Sequence, residues 1–290
     1  MKSNKEGYIK VPGGKVWYKI VGNKSSHAPL VVLHGGPGYP HNYLTPLENL
    51  SNERQVIFYD QLGCGKSERP TDTKLWTVER FVIELTEILK FLKLNQYHVL
   101  GQSWGAALGA CFALQKPKGL ISLILADPYL STPIWMKDAK KLIKLLPKRT
   151  QKIIAKYIKD GIKTEEYKKA RLDFYQRFER MYKTTPPVIV ESNLGMNHDI
   201  YEYMWGSEEF LITGTLKDFD LTLRLSEIIV PILLVSGRFD EATPEALKYF
   251  ASLLVNAGVT IFEKSAHYPH LTEKDKYMKI LRAFLQKTDQ

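Results

Sequence analysis

Two hydrophobic periods alternate along this chain. Short, nearly continuous apolar runs read as buried strands: LVVLHG at 30–35, VIFYD at 56–60, YHVLGQ at 97–102, LILADP at 123–128, PILLVSG at 231–237 and VTIFE at 259–263. Strands of a parallel sheet are covered on both faces, so they lose the polar alternation of a half-exposed strand. WYKIVG at 17–22 reads as a further strand. Between these runs the period lengthens to that of a helix. Val78, Phe81, Val82, Leu85, Ile88, Leu89 and Leu92 share one face of a helix over 77–92. GAALGACFALQK at 105–116 is small and apolar, which suits a helix lying close to a sheet. Two more helices are predicted, from Pro244 and from about Thr272. Strands alternating with helices predict an α/β fold, a mostly parallel central sheet with helices on both faces.

The alternation fails from about Ser131 to Thr213, where helical patterns follow one another without strands. This stretch is expected to form a helical cap inserted into one core. The division is then core over 1–130, cap over 131–213 and core again over 214–290.

Charge marks the same region. The net charge is +10, and residues 136–183 hold sixteen Lys and Arg against six Asp and Glu, so this segment carries the whole imbalance. Solvated helix faces account for it, and its aromatics, Tyr157, Tyr167, Phe174, Tyr175 and Phe178, suit helix packing. The sharper alternative is attraction to nucleic acid or another acidic partner. No nucleic-acid motif accompanies the charge, so none is expected to bind. No apolar run reaches 18 residues, which predicts no membrane span. MKSNKEGYIK lacks the apolar stretch of a signal peptide, and Cys64 and Cys111 are the only cysteines. A cytoplasmic protein without disulfides is expected.

Candidate chemistry starts at GQSWG, 101–105. At average glycine usage G-x-S-x-G arises by chance in about one chain of this length in ten to fifteen. Its position is more informative. Ser103 falls between a predicted strand and a small-residue helix, at the carboxyl edge of the sheet, where open α/β folds bind ligands. A serine hydroxyl needs a base, and the base needs an orienting group. With the nucleophile on such a turn, an acid and then a histidine follow from loops after later strands. Asp240, in VSGRFD, is the expected acid, because Gly237 and Pro244 frame a tight loop there. Asp127, in LADP, is its rival. SAHYPHLTE offers His267 as the expected base and His270 as the alternative. Two backbone N–H groups are expected to hold an oxyanion: that of Trp104, and that of Gly36 in the glycine-rich HGGPG loop, 34–38. DQLGCGKS, 60–67, ends like a phosphate-binding loop but has Asp60 where G-x-x-x-x-G-K-[ST] requires glycine, so nucleotide binding is rejected. Cys64 has no evident base.

With these residues in view the chain resembles the α/β-hydrolase superfamily and, more narrowly, the proline iminopeptidases (prolyl aminopeptidases). The shared stretches are HGGPG, YDQLGCGKS (59–67), GQSWG, MWGSEEF (204–210), TGTLKDFD (213–220), GRFDEATP (237–244) and SAHYPHLTE (265–273). HGGPG and the DQ-x-G-x-G-x-S stretch are more specific than the serine turn. The basic insert departs from the family, and Leu62 stands where the family usually has arginine. The resemblance implies release of an N-terminal residue, commonly proline, from small peptides with a free N-terminus, with no metal or cofactor. It also implies that Glu209 and Glu241 bind the substrate's α-amino group, while Glu208 reads as a surface acid. An apolar pocket for the pyrrolidine ring is expected from Trp104, Tyr203 and Trp205. Two other readings stay open: a carboxylesterase or lactonase with the same triad, and a ligand-binding protein on a hydrolase scaffold.

Overall fold

The structure, a computed structural model, describes residues 4–289; Met1–Ser3, part of the segment read above for a leader, and Gln290 lie outside the described residues. The strands are β1 (Asn4–Val11), β2 (Gly14–Val21), β3 (Leu30–Leu33), β4 (Val56–Tyr59), β5 (Tyr97–Gln102), β6 (Leu120–Ala126), β7 (Ile232–Gly237) and β8 (Ala257–Phe262). The helices are α1 (Val78–Phe91), α2 (Trp104–Ala113), α3 (Thr132–Lys144), α4 (Lys148–Asp160), α5 (Glu165–Tyr175), α6 (Pro187–Gly195), α7 (His198–Met204), α8 (Pro244–Leu253), α9 (Pro269–Thr272) and α10 (Lys274–Thr288). One sheet runs β1-β2-β4-β3-β5-β6-β7-β8. The β1–β2 and β2–β4 pairs are antiparallel, and every pair from β4 to β8 is parallel.

Each predicted strand forms, within three residues at its ends. Successive side chains of a strand face opposite ways, so β3 feeds two cores. Val31 and Leu33 pack in a cluster with residues of α1, α2 and α8, whereas Leu30 and Val32 pack in a cluster with residues of α10 and of the 3₁₀ segment 41–52. The helix starts have local causes. Thr77 accepts the Arg80 N–H at the head of α1, and Thr243 accepts the Ala246 N–H at the head of α8, where Pro244 takes the first position. The helix expected from Thr272 is interrupted at Glu273, which separates α9 from α10.

Two elements escape the sequence pattern. β1 is an edge strand, NKEGYIKV, exposed along most of its length, and charged residues on an edge hide a strand's hydrophobic signature while discouraging edge pairing with other chains. The 41–52 segment is coiled as 3₁₀ turns around Pro46, a period that neither template detects.

Helices α3 to α7 all lie between β6 and β7. α3, α4 and α5 close over their own apolar cluster, which takes in Tyr157, Tyr167, Phe174, Tyr175 and Phe178; the rings of Tyr157 and Tyr167 stack at 3.9 Å. Of the sixteen basic residues counted above, all but Arg171 and Arg180 are exposed. The charge imbalance is therefore the outer face of a helical layer whose inner face is aromatic.

The chain's far end is tied to the sheet by charge. Asp289 accepts from both terminal nitrogens of the fully buried Arg54, at 3.2 and 2.7 Å, and pairs with His98 and His27 at 2.9 Å each. Burial would raise this carboxyl, but the hydrogen bonds from Arg54 and His98 outweigh it and hold it at about 2. A depressed carboxyl contributes stability that is present above its unfolded value near 3.8 and is lost as pH falls through about 2. Asp289→Ala strands the Arg54 guanidinium, and removing one partner of a buried pair is the costly way to break it. The expected outcome is a loss of about 2 kcal/mol, read as a melting temperature lower by several degrees at neutral pH, with the difference from wild type shrinking towards pH 2.

Candidate active site

The turn between β5 and α2 is set by backbone crowding. A Cβ at Gly101 would overlap the backbone of Gly105, and one at Gly105 would overlap the Leu33 carbonyl, so both positions need glycine. Between them Ser103 takes φ 57° and ψ −119°, a conformation sparsely populated by residues with a side chain. Neighbours enforce it: the Ser103 N–H donates to the Ala126 carbonyl of β6 at 2.9 Å, and the Ser103 carbonyl accepts the Ala106 N–H at 3.0 Å. Ser103 is thereby lifted to the head of α2.

His267 follows β8 and Asp240 follows β7, adjacent parallel strands whose carboxyl ends lie side by side. His267 Nδ1 lies 2.7 Å from Asp240 Oδ1, and Asp240 Oδ1 also accepts the Ala242 N–H at 3.1 Å. Burial alone would lower the imidazole's pKa, but the Asp240 carboxylate outweighs it and holds His267 above its ordinary 6.5. With Nδ1 donating to Asp240, Nε2 is the nitrogen left to act as a base. His270 is different. It is fully buried, bonded through Nε2 to the Tyr43 carbonyl at 3.1 Å, and burial pushes it down to about 3. The rival acid Asp127, at φ 47°, also lies beside Asp240, and atoms of Asp127, Asp240 and His267 fall within 4.8 Å of one another.

A cavity of about 460 Å³ opens above this edge, beneath the helices inserted between β6 and β7. Gly36, Ser103, His267 and Glu209 all line it. Gly36 sits at φ +107° in the HGGPG loop, a backbone state that suits glycine. Among the described residues, no hydrogen bond within the chain occupies the N–H of Gly36 or of Trp104.

Two glutamates lie close by. Glu209 accepts the Tyr201 hydroxyl in a short hydrogen bond, and burial together with the charge of Glu179 raises its carboxyl to about 7. Glu241 is buried, its Oε2 has no partner among the described residues, and burial with the charges of Glu209, Glu179 and Asp240 holds its carboxyl well above the ordinary range. Glu209 lines the cavity, whereas Glu241 lines a smaller pocket with Trp135, Asp138 and Ala242; acids this costly to ionise are suited to meeting a cation.

Several expectations need correcting. Tyr203 does not line the cavity: it is 40% exposed and packs edge-on against Trp76, with ring centroids 5.4 Å apart. Residues 201 and 203 of α7 differ by about 200° around the helix, so Tyr201 faces the cavity and Tyr203 faces away. Trp205 is fully buried behind that wall, against Tyr129, Trp135 and Tyr201. The Trp104 ring points into the core, where its Nε1 donates to Gln61 Oε1 at 2.9 Å. The aromatic lining is instead six tyrosines, Tyr39, Tyr43, Tyr175, Tyr182, Tyr201 and Tyr268. Glu208 is not a surface acid. It is fully buried, paired with Arg171 at 2.9 Å and bonded by the Tyr175 hydroxyl at 3.0 Å. Glu179, which no motif marks, lines the cavity. It accepts the Tyr268 hydroxyl at 3.1 Å, and its backbone carbonyl accepts the His267 N–H at 3.1 Å. Only the fold of the insert brings it there.

The DQLGCGKS loop closes on itself. Asp60 accepts the His41 N–H at 3.0 Å, pairs with the His41 ring at 2.7 Å and accepts the Lys66 N–H at 2.9 Å. A carboxylate thus fills the space a phosphate would need. Cys64 is buried, and burial pushes its thiol well up. Leu62 is buried above an Arg80–Glu84 pair.

Comparison with known proteins agrees with this geometry. Residues 28–274 match the family model described as alpha/beta hydrolase fold. A proline iminopeptidase of Heyndrickxia coagulans is 43% identical over 282 residues, covering 97% of this chain and 98% of that one. One from Saccharolobus solfataricus is 38% identical over 284 residues, with 97% and 92% covered. Among solved structures, the proline iminopeptidase of Mycobacterium smegmatis superposes with a TM-score of 0.93 at 32% identity, covering 98% of this chain and 99% of that one. Fold, serine turn and near full-length identity agree: this chain belongs to the proline iminopeptidase family of α/β-hydrolase-fold proteins.

Proposed function

We infer that the chain is a prolyl aminopeptidase that releases N-terminal proline from short peptides through an acyl-enzyme formed on Ser103. The observation that carries this reading is the His267–Asp240 pair at 2.7 Å, with His267 opening on the same cavity as Ser103 and Glu209. His267 Nε2 takes the Ser103 Oγ proton as Oγ attacks the carbonyl carbon of the first residue. Asp240 holds the ring and stabilises the imidazolium. The N–H groups of Gly36 and Trp104 receive the oxyanion. The imidazolium then gives its proton to the leaving amine. Water enters, Nε2 takes a proton from it, and hydroxide attack frees proline and restores Ser103.

Glu209 and Glu241 supply the exopeptidase rule. A chain interior or a blocked N-terminus brings no cation, so it leaves these buried acids unpaired. The tyrosine-lined cavity is the expected seat of the pyrrolidine ring. Among the described residues no helix is long and apolar enough to cross a membrane; a cytoplasmic location fits the two unpaired cysteines.

Two chromogenic anilides of proline test the reading, one with a free amine and one acetylated. The expected outcome is release from the free-amine substrate with kcat/KM at least about 10³-fold higher. Equal cleavage of both would remove amine recognition and favour a general amidase or esterase.

A further inference from the structure

Asp127 has no role in the scheme above, yet it is fully buried at the end of β6 beside the acid that orients His267. Two observations define its state. Asp240 Oδ1 is engaged by two donors, His267 Nδ1 and the Ala242 N–H, while Asp240 Oδ2 is buried with no donor. On Asp127, Oδ2 has a long contact of 3.5 Å from Gln102 Nε2, the Gly237 N–H also acts on the carboxyl, and Oδ1 is buried with no donor. Two adjacent carboxyls thus each keep one orphaned oxygen. No lysine or arginine among the described residues pairs with either.

Two adjacent buried carboxylates cannot both ionise without a cation between them. One proton shared between them satisfies both orphans at once. Donor quality assigns its owner, because Asp240 Oδ1 takes the imidazole and the Ala242 N–H at 2.7 and 3.1 Å, while Asp127 has the long Gln102 contact and a Gly237 backbone contact. Burial, and then the neighbouring Asp240 charge, push the Asp127 carboxyl well up, in the direction these donors require.

We propose that Asp127 is a protonated positioning residue, whose carboxylic O–H donates to Asp240 Oδ2 and so aims Asp240 Oδ1 at His267. Its own backbone is held by the Asp127 N–H donating to the Val235 carbonyl at 2.7 Å. Gln102 links it to the histidine loop, since its Nε2 also donates to the His267 carbonyl at 3.2 Å. The chain of support runs Gln102, Asp127, Asp240, His267. This role rests on the reading of Asp240 as the orienting acid.

Asp127→Asn and Asp127→Leu test it, with Asp240→Asn as the control on that underlying reading. An asparagine keeps a donor for Asp240 and an acceptor for Gln102, whereas leucine keeps the shape and removes both. The expected result is kcat within about 3-fold of wild type for Asn and lower by about 10- to 100-fold for Leu, with KM little changed in either. In infrared difference spectra at neutral pH, wild type minus Asp127→Asn, a carboxylic-acid C=O band belonging to Asp127 is expected. Leu at wild-type rate overturns the proposal, because no donor is then needed. Asn as slow as Leu overturns it as well, because an ionised carboxylate is then required. So does a difference spectrum without that band, a readout that folded Asp127→Asn protein gives whatever becomes of the leucine variant. Failure of the underlying reading looks different: Asp240→Asn would keep wild-type activity.

Discussion

Ser103→Ala is expected to lower kcat on a free-amine proline anilide by about 10⁴- to 10⁶-fold, with KM almost unchanged. The size follows from the way the three residues act as a unit. His267 has a raised pKa and a fixed ring because Asp240 holds Nδ1 at 2.7 Å, and in the proposed scheme that preparation serves one proton only, the one on Ser103 Oγ. Without the hydroxyl, what remains is the cavity and the backbone N–H groups of Gly36 and Trp104, and such sites keep a residual rate over water. Asp240→Asn is expected to cost about 10⁴-fold by favouring the wrong tautomer of His267. Substrate binding should persist in Ser103→Ala, since no amine contact is removed. The measurement is a steady-state anilide assay beside a thermal melt. A melting temperature near wild type with activity lost assigns the chemistry to Oγ; activity within tenfold of wild type would end the acyl-enzyme reading.

The second large effect concerns charge. Glu209→Gln is expected to reduce kcat/KM for free-amine substrates by about 10²- to 10³-fold, and Glu241→Gln to act in the same direction, because losing one partner of a desolvated charge pair costs about 2–5 kcal/mol. A small uncharged ester should be hydrolysed within a few-fold of the wild-type rate, since neither acid touches the reacting atoms in the scheme proposed. Acidity adds a sign to this prediction. The Glu209 carboxyl is held at about 7 by burial and by the charge of Glu179. As pH falls through about 7 it takes up a proton, the ammonium loses its partner, and KM rises. His267, held above 6.5, also becomes protonated on the acid side, which lowers kcat. In wild type the acid limb of kcat/KM should therefore be steeper than one group gives, and in Glu209→Gln it should relax towards a single ionisation. A pH profile with the same slope in both would mean that Glu209 does not titrate in this range.

Legibility differed between parts of the molecule for definite reasons. Ser103 was readable because its chemistry requires backbone crowding that glycine signals: Gly101 and Gly105 leave no space for a Cβ. Asp240 and His267 were readable because each follows a continuous apolar strand, and the carboxyl ends of parallel strands meet at one edge. Asp127 follows such a strand too, which is why the same rule left it as a rival acid. The roles proposed for them are separated by the donors around each oxygen, a three-dimensional quantity. Among aromatics the rule failed. Tyr201, Tyr203 and Trp205 look alike in sequence, yet one lines the cavity, one packs outward on Trp76 and one is buried behind.

By itself the sequence determined the alternation of strand and helix, the places of Ser103, Asp240 and His267 just after strands of the sheet, and the helical character of the basic insert. These are local properties, set by hydrophobic period and by glycine, and they survive without knowledge of any distant contact. Tertiary structure alone decided which insert residues reach the cavity. Glu179 arrives there from residues 176–180, a single wide π-helical turn after α5, and Glu208 and Glu209, adjacent in sequence, part to a buried ion pair and to the cavity wall. Pocket lining depends on how a helical layer docks on the sheet edge, and docking is set by long-range packing that no local pattern encodes.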